Sequence, residues 1–178
     1  MGAVTDDTAL AALCRDEHPR LVGLVALYVG NRAVAEDLAQ ETLIRLHQHW
    51  PRVRMMDSPH GWLCGVAVNL ARSWWRRRYA EHRANRRHQA GCAPDGEAAP
   101  GRGDDPPEPD TVLAVRAAVA GLPPRQRAAL VLRFYAGLSV AETARQMGCA
   151  EGTVKSLTHK ALAALRSRLA MTQEDIRA

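Results

Sequence analysis

The chain of 178 residues contains no uninterrupted apolar run of the length a membrane span needs, and its N-terminus lacks the apolar core of a secretion signal. Those absences exclude a membrane partner and lead to the expectation of a cytoplasmic protein with reduced thiols. Cysteine gives little: Cys14, Cys64, Cys92 and Cys149 are scattered, with no C-x-x-C pair. His60/Cys64 and His88/Cys92 have i,i+4 spacing, but two ligands alone make a poor zinc site and the second pair runs into Gly91. Neither a metal nor another cofactor is expected. No pattern of nucleophile and base stands out either, so the sequence reads as a binding protein rather than an enzyme.

What is present is charge, unevenly spread. The net charge is +5, which favours polyanionic partners. Residues 1–90 hold 13 Lys and Arg against 9 Asp and Glu, residues 91–110 hold 1 against 6, and residues 111–178 hold 10 against 4. Two basic blocks therefore flank an acidic joint. The joint, GCAPDGEAAPGRGDDPPEPD, contains five prolines and four glycines and no Val, Ile, Leu or aromatic residue. It cannot bury enough apolar surface to offset the entropy of ordering, so it reads as a linker, partly extended by proline and self-repulsion. The expected fold is all-α, with helical domains over 1–90 and 111–178 joined by a flexible acidic linker at 91–110, which leaves their spacing unset.

The most specific stretch is 138–160, LSVAETARQMGCAEGTVKSLTHK, which reads as a helix-turn-helix. Ala144 is small enough for two helices to cross closely, Gly148 suits a left-handed turn, and Val154 would pin the second helix to a core. Lys155, Ser156, His159 and Lys160 then face outward, as a helix entering the major groove requires. The same pattern fits an αα-hairpin that only packs.

The N-terminal block carries helical periodicity. Leu10, Leu13, Leu21, Leu24, Val25 and Tyr28 mark a first helix over 8–30, with Pro19 inside it, and Gly30-Asn31 ends it. A second helix runs from about Arg32 to His49, with Ala35, Leu38, Ala39, Thr42, Leu43 and Leu46 as its core stripe. Its other side bears Asp37, Gln40, Glu41, Ile44, Arg45 and Gln48. An aliphatic Ile44 ringed by polar groups has the anatomy of an interface anchor, although a lone exposed Ile also occurs without function. After a loop, PRVRMMDSP, a third helix starts near His60, with Leu63, Val66, Ala67, Leu70 and Trp74 as its apolar stripe. Asn69, Arg72, Ser73 and Arg76 line an adjoining polar stripe. Seven arginines fall within 72–87, with Trp75 and Tyr79 interleaved, a pattern suited to phosphate contacts and base stacking, though also to a solvated face. Trp74 is expected in the core. Trp75, off the stripe, is the candidate for stacking.

The order AEDLAQETLIRLHQHW, GWLCGVAVNLARSWWRRR, an acidic linker and LPPRQRAALVLRFYAGLSVAETARQMGCAEGTVKS resembles a bacterial RNA polymerase sigma factor of the sigma-70 family. The small two-domain extracytoplasmic function (ECF) group fits best, with a Ser73-Trp74-Trp75 variant similar to actinobacterial members. The resemblance implies a sigma region 2-like domain, for core polymerase binding and −10 recognition and melting, and a sigma region 4-like domain for the −35 element. It implies that Asp37, Gln40, Glu41 and Arg45 dock on the clamp helices of the polymerase β′ subunit, which tips Ile44 toward an interface role. It places −10 DNA at Asn69, Arg76, Arg77 and Arg78, with Met55, Met56 and Asp57 as weaker loop candidates, and the polar stripe and interleaved aromatics add Arg72, Ser73 and Trp75 to that surface. Lys155, Ser156, His159 and Lys160 would read the −35 element, and the helices before them would contact the β flap. The linker would thread toward the active-site cleft. An anti-sigma protein is a further implied kind of partner, although no residue of the sequence encodes one.

Departures from the family pattern limit what carries over. Leu157 stands where an Arg is usual in the recognition helix, so the −35 sequence cannot be borrowed from relatives. Ala150 replaces a usual Ser and forfeits an N-cap, which Glu151 offsets in part through the helix dipole. Two other functions remain open at the level of sequence. One is an autonomous helix-turn-helix regulator binding operators as a dimer, and the other is a small metalloenzyme built on the His/Cys pairs.

Overall fold

The computed structural model describes residues 2–88 and 110–177, with side chains described for 6–81 and 112–170. The expected linker therefore lies outside the described residues, apart from Asp110, which begins a helix. Cys92 and the side chains of Arg83, Arg86, Arg87 and His88 are outside them as well. Every regular element among the described residues is helical. None of these helices is long and apolar enough to cross a membrane.

Helix α1 spans Gly2–Val29. Leu21, Leu24, Val25 and Tyr28 recur at helical spacing and are almost wholly buried, so one face of the helix forms the centre of the first module. Gly30 stops it at φ 77°, a left-handed conformation that costs glycine no steric strain. The Asn31 side chain accepts a hydrogen bond from the Val34 amide at 3.0 Å and caps the next helix.

Helix α2 spans Arg32–Val53 and buries Ala35, Leu38, Ala39, Thr42, Leu46 and Val53, with Leu43 half-buried. It extends beyond the expected end at His49 and includes Pro51. The extension has visible anchors: Val53 is fully buried, the Trp50 indole donates to Asp6 at 2.9 Å, and Arg54 pairs with the same carboxylate at 2.7 Å. These contacts tie the end of α2 to the start of α1 and offset the helix bond that proline cannot donate.

Helix α3 spans Pro59–His88, with proline at its first position, where a missing N–H costs nothing. Its buried face is Leu63, Cys64, Ala67, Val68 and Ala71, whereas Val66, Leu70 and Trp74 are only half-buried. The expected stripe is thus rotated toward Cys64 and Val68. The cause is a second packing partner, because α3 touches α1 and α2 on one side and the C-terminal module on the other.

That module comprises α4 (Asp110–Ala120), α5 (Pro124–Leu130), a π-helical turn (Val131–Tyr135), α6 (Val140–Met147) and α7 (Glu151–Arg177). Helices α4, α5 and α6 all rest on α7. The two modules are not held apart. Leu21, Leu24 and Val68 share one apolar cluster with Val119, Leu122, Val131 and Leu138, so the cores of the two modules are continuous. The expectation of modules with unset spacing came from the linker alone. Apolar surface on both sides brings them together regardless of what joins them.

Candidate nucleic-acid and protein interfaces

The helix-turn-helix is built by local chemistry. The Ser139 hydroxyl accepts from the Glu142 amide at 3.1 Å, and the Glu142 carboxylate accepts from the Ser139 amide at 2.8 Å, a reciprocal capping box that starts α6. Hydrogen bonds from Ser139 hold the Glu142 carboxyl below the usual carboxylate range. Gly148 ends the helix at φ 60°, ψ 47°, the left-handed turn that the sequence reading required of it. Helix α7 then begins at Glu151 rather than at a side-chain-capping serine, with the carboxylate in its first turn. Val154 and Ala161 are fully buried and set the roll of α7 about its axis. Lys155, Ser156, His159 and Lys160 are exposed together, and Leu157 is half-buried beside them. One helix face is therefore free, polar and cationic.

On α2, Asp37, Gln40 and Ile44 are exposed, while Glu41 and Arg45 are half-exposed and paired at 3.0 Å. Ile44 retains 53% of its surface, which no neighbour covers. The sequence reading grouped these residues on one face, and the structure places them there.

The polar face of α3 is more divided. Asn69, Arg76, Arg77 and Arg78 are exposed, whereas Arg72 and Ser73 are half-buried. Arg76 donates to the Ser73 hydroxyl at 3.1 Å, and the Arg78 guanidinium lies 6.0 Å above the Trp74 ring. Of the loop candidates, Met55 is 78% exposed and Asp57 is exposed, but Met56 packs against the core. Trp75 departs from expectation. It is half-buried, its indole N–H donates to the Tyr28 carbonyl at 3.3 Å, and the Arg127 guanidinium sits 5.1 Å from its ring centre. Rotation of the buried face brings it into contact with the second module, where the Arg127 guanidinium takes up a stacking position on that ring.

Sequence reasoning missed the residues that join the modules. Arg127 is 5% exposed and lies 5.3 Å from the Tyr28 ring centre as well as against Trp75. It donates to the carbonyls of Tyr28 at 2.7 Å, Leu122 at 3.2 Å and Ala120. Those oxygens lie at or just beyond the ends of α1 and α4, where carbonyls lack helical partners and a cation is favoured. Burial pushes the guanidinium pKa down. Nearby, the Tyr28 hydroxyl donates to the Pro124 carbonyl at 3.1 Å. His60 touches Cys64 Sγ, the Ala136 carbonyl at 3.0 Å and the Glu17 carboxylate at 2.8 Å. The hydrogen bond with Cys64 leads in pushing its pKa up to about 10, helped by Ala136 and Glu17 and opposed by burial. Arg127, one of the two arginines in LPPRQRAAL, carries no sequence mark of this role. The other candidate pair, His60/Cys64, serves a contact between modules, and no cluster of three metal-ligating side chains occurs among the described residues.

Comparison with known proteins bears on these surfaces. Residues 13–81 match the sigma-70 region 2 family, and residues 113–165 match sigma-70, region 4. The ECF RNA polymerase sigma factor SigL of Mycobacterium tuberculosis is 34% identical over 176 residues, covering 94% of this chain and 93% of its own length. The RNA polymerase sigma-E factor of Streptomyces antibioticus is 33% identical over 145 residues, covering 81% and 75%. Among solved structures, the sigma factor RpoE of Bartonella quintana, co-crystallised with the anti-sigma factor NepR, aligns with a TM-score of 0.65 at 25% identity over 86% of this chain and 91% of that one. The alternative of an autonomous regulator finds no support in these matches. The chain belongs to the sigma-70 family of RNA polymerase sigma factors, in its extracytoplasmic function group.

Proposed function

We propose that the three exposed faces divide the work of a sigma factor between recruitment, duplex recognition and strand capture. Asp37, Gln40, Glu41, Ile44 and Arg45 dock on the β′ clamp helices of core polymerase, with Ile44 as the apolar anchor inside a polar ring. Lys155, Ser156, His159 and Lys160 enter the major groove at the −35 element. Asn69, Arg72, Ser73 and Arg76–Arg78 act at the −10 element, together with Met55 and Asp57 from the loop. An Asn amide donates to and accepts from a base edge, while the arginines supply charge blind to sequence.

The observation that carries this reading is the roll of α7: Val154 and Ala161 are fully buried while two lysines, a serine and a histidine are presented on one open face. Promoter opening needs no chemistry from the chain. Captured bases are worth ~1–3 kcal/mol each through stacking and contacts, and a ligand that prefers single strand shifts the melting equilibrium. RNA synthesis belongs to the polymerase, so the chain is a dissociable specificity subunit rather than an enzyme, acting in the cytoplasm. The likeness to the Bartonella quintana protein supports an anti-sigma factor as a further partner.

Mapping transcription starts made by purified core polymerase on genomic fragments, with and without the chain, tests this reading. Starts that appear only with the chain and share two upstream elements are expected. An unchanged set of starts contradicts it.

A further inference from the structure

Beside the polar face of α7 stands one side chain that the proposed task leaves without a role. Residues 151–158, EGTVKSLT, open the helix and contain two aliphatic side chains, Val154 and Leu157. Val154 is fully buried. Leu157 is half-buried. Among the described residues, Leu162, Ala164 and Leu165 of the same helix pack against the shared apolar cluster, and Leu157 does not. Helical spacing puts it on a border. Val154 and Ala161, three positions before it and four after, are its neighbours on the buried side, and Lys160, three positions after, is its neighbour on the exposed side. Helical side chains lean over the turn N-terminal to their own Cα, so Leu157 covers the surface beside Thr153 in the first turn. That end of a recognition helix is the one that meets base edges.

The centre of the same face is bare. Gly152 is exposed and lies in line with Lys155, Ser156 and His159 at i, i+3, i+4 and i+7. A Cβ built on it meets nothing within 4 Å. With no side chain there to hold the helix off, the α7 backbone approaches the groove floor closely, and residues at the border of the face come within reach of the bases.

We infer that Leu157 is a specificity-determining residue, which reads the 5-methyl group of one thymine in the −35 element. The inference rests on the proposed −35 surface. Lys155, Ser156, His159 and Lys160 bring hydrogen-bonding groups, which suit the polar atoms of base edges and phosphates. A leucine brings none. In the major groove, thymine is the base whose edge carries a methyl group, so an aliphatic side chain at this border has one base to prefer. Contact between the two apolar groups removes both from water, whereas an amine or carbonyl set against the leucine would lose a hydrogen-bonding partner.

Deoxyuridine isolates the methyl group, because it pairs as thymine does and differs from it only at C5. Promoter duplexes randomised over the upstream element are first selected for initiation by core polymerase with the full chain, and each thymine of the selected element is then replaced singly. One replacement should lower open-complex formation about fourfold, the effect expected of one buried methyl group. With Leu157→Ala that replacement should have no effect, and with Leu157→Met, which keeps an apolar tip, the loss should return. A merely structural Leu157 would alter thermal stability and all duplexes alike, without telling thymine from deoxyuridine. Should Leu157→Ala not fold, a selection repeated with Leu157→Arg decides the matter. Guanine is expected in place of that thymine, since arginine pairs with its O6 and N7, and retention of thymine contradicts the inference. A selected element without thymine, or equal deoxyuridine losses in the unaltered and Leu157→Ala chains, also overturns it. Lys155→Ala separates the two readings: if it weakens initiation from the selected element while deoxyuridine has no effect, the −35 surface stands and the inference falls. Selection of no upstream element at all sinks both.

Discussion

The helices α7 and α3, to which we assign parallel tasks at two promoter elements, have surfaces set by different physics. The face of α7 follows from contacts within about twenty residues: the Ser139–Glu142 box, the left-handed Gly148 and the buried Val154 and Ala161. On α3, the placement of Trp75 depends on groups 47 positions away and more, the Tyr28 carbonyl to which it donates and the Arg127 guanidinium against its ring. A surface built locally is presented whether or not the modules meet. A surface built by distant contacts is altered by whatever separates them.

The largest expected effect breaks the distant set alone. Arg127→Ala leaves three carbonyls without their charged donor and should lower stability by about 3 kcal/mol in urea denaturation, since hydrogen bonds to charged groups are the costly ones to lose. A loss within experimental error would mean that these three bonds add no net stability. Ile44→Asp comes next. It should weaken core binding by about 2 kcal/mol or more in competition with another sigma factor, with helicity intact. Unchanged affinity would remove this face as the main dock.

Lys155→Ala and Lys160→Ala sharpen the comparison on the local side. Each should weaken −35 binding by about 1–3 kcal/mol if the lysine reads a base. Equal loss on promoter and scrambled duplex would instead identify a phosphate contact, with the salt slope reduced by about one. Asn69→Ala is the subtlest. A severalfold defect in open complexes is expected on duplex promoter and should disappear on a premelted bubble, which supplies the unstacked strand. A defect of equal size on both templates, in a protein of normal stability, would place Asn69 outside melting.

The same division explains what could be read from the sequence. Gly148 and Val154, and the two faces of α2 with Ile44 among polar neighbours, follow from periodicity and turn chemistry, and the structure places them accordingly. Trp74 and Trp75 are adjacent, and a periodic pattern cannot say which turns inward once a helix has partners on two sides. Helix α2 runs past His49 because the Asp6 carboxylate, 44 residues upstream, holds Trp50, a contact that local periodicity does not contain. Arg127 was invisible because its partners are main-chain oxygens and ring faces, which leave no trace in charge patterning.

Core dependence of promoter binding tests the central claim most directly, namely that two DNA-reading modules act together only within polymerase. Tethered sites gain affinity when geometry lets both engage at once. In a gel shift at physiological salt, the isolated chain should show no tight sequence-specific complex, and addition of core should produce one that depends on both promoter elements. Tight, sequence-specific binding by the chain alone would contradict the account.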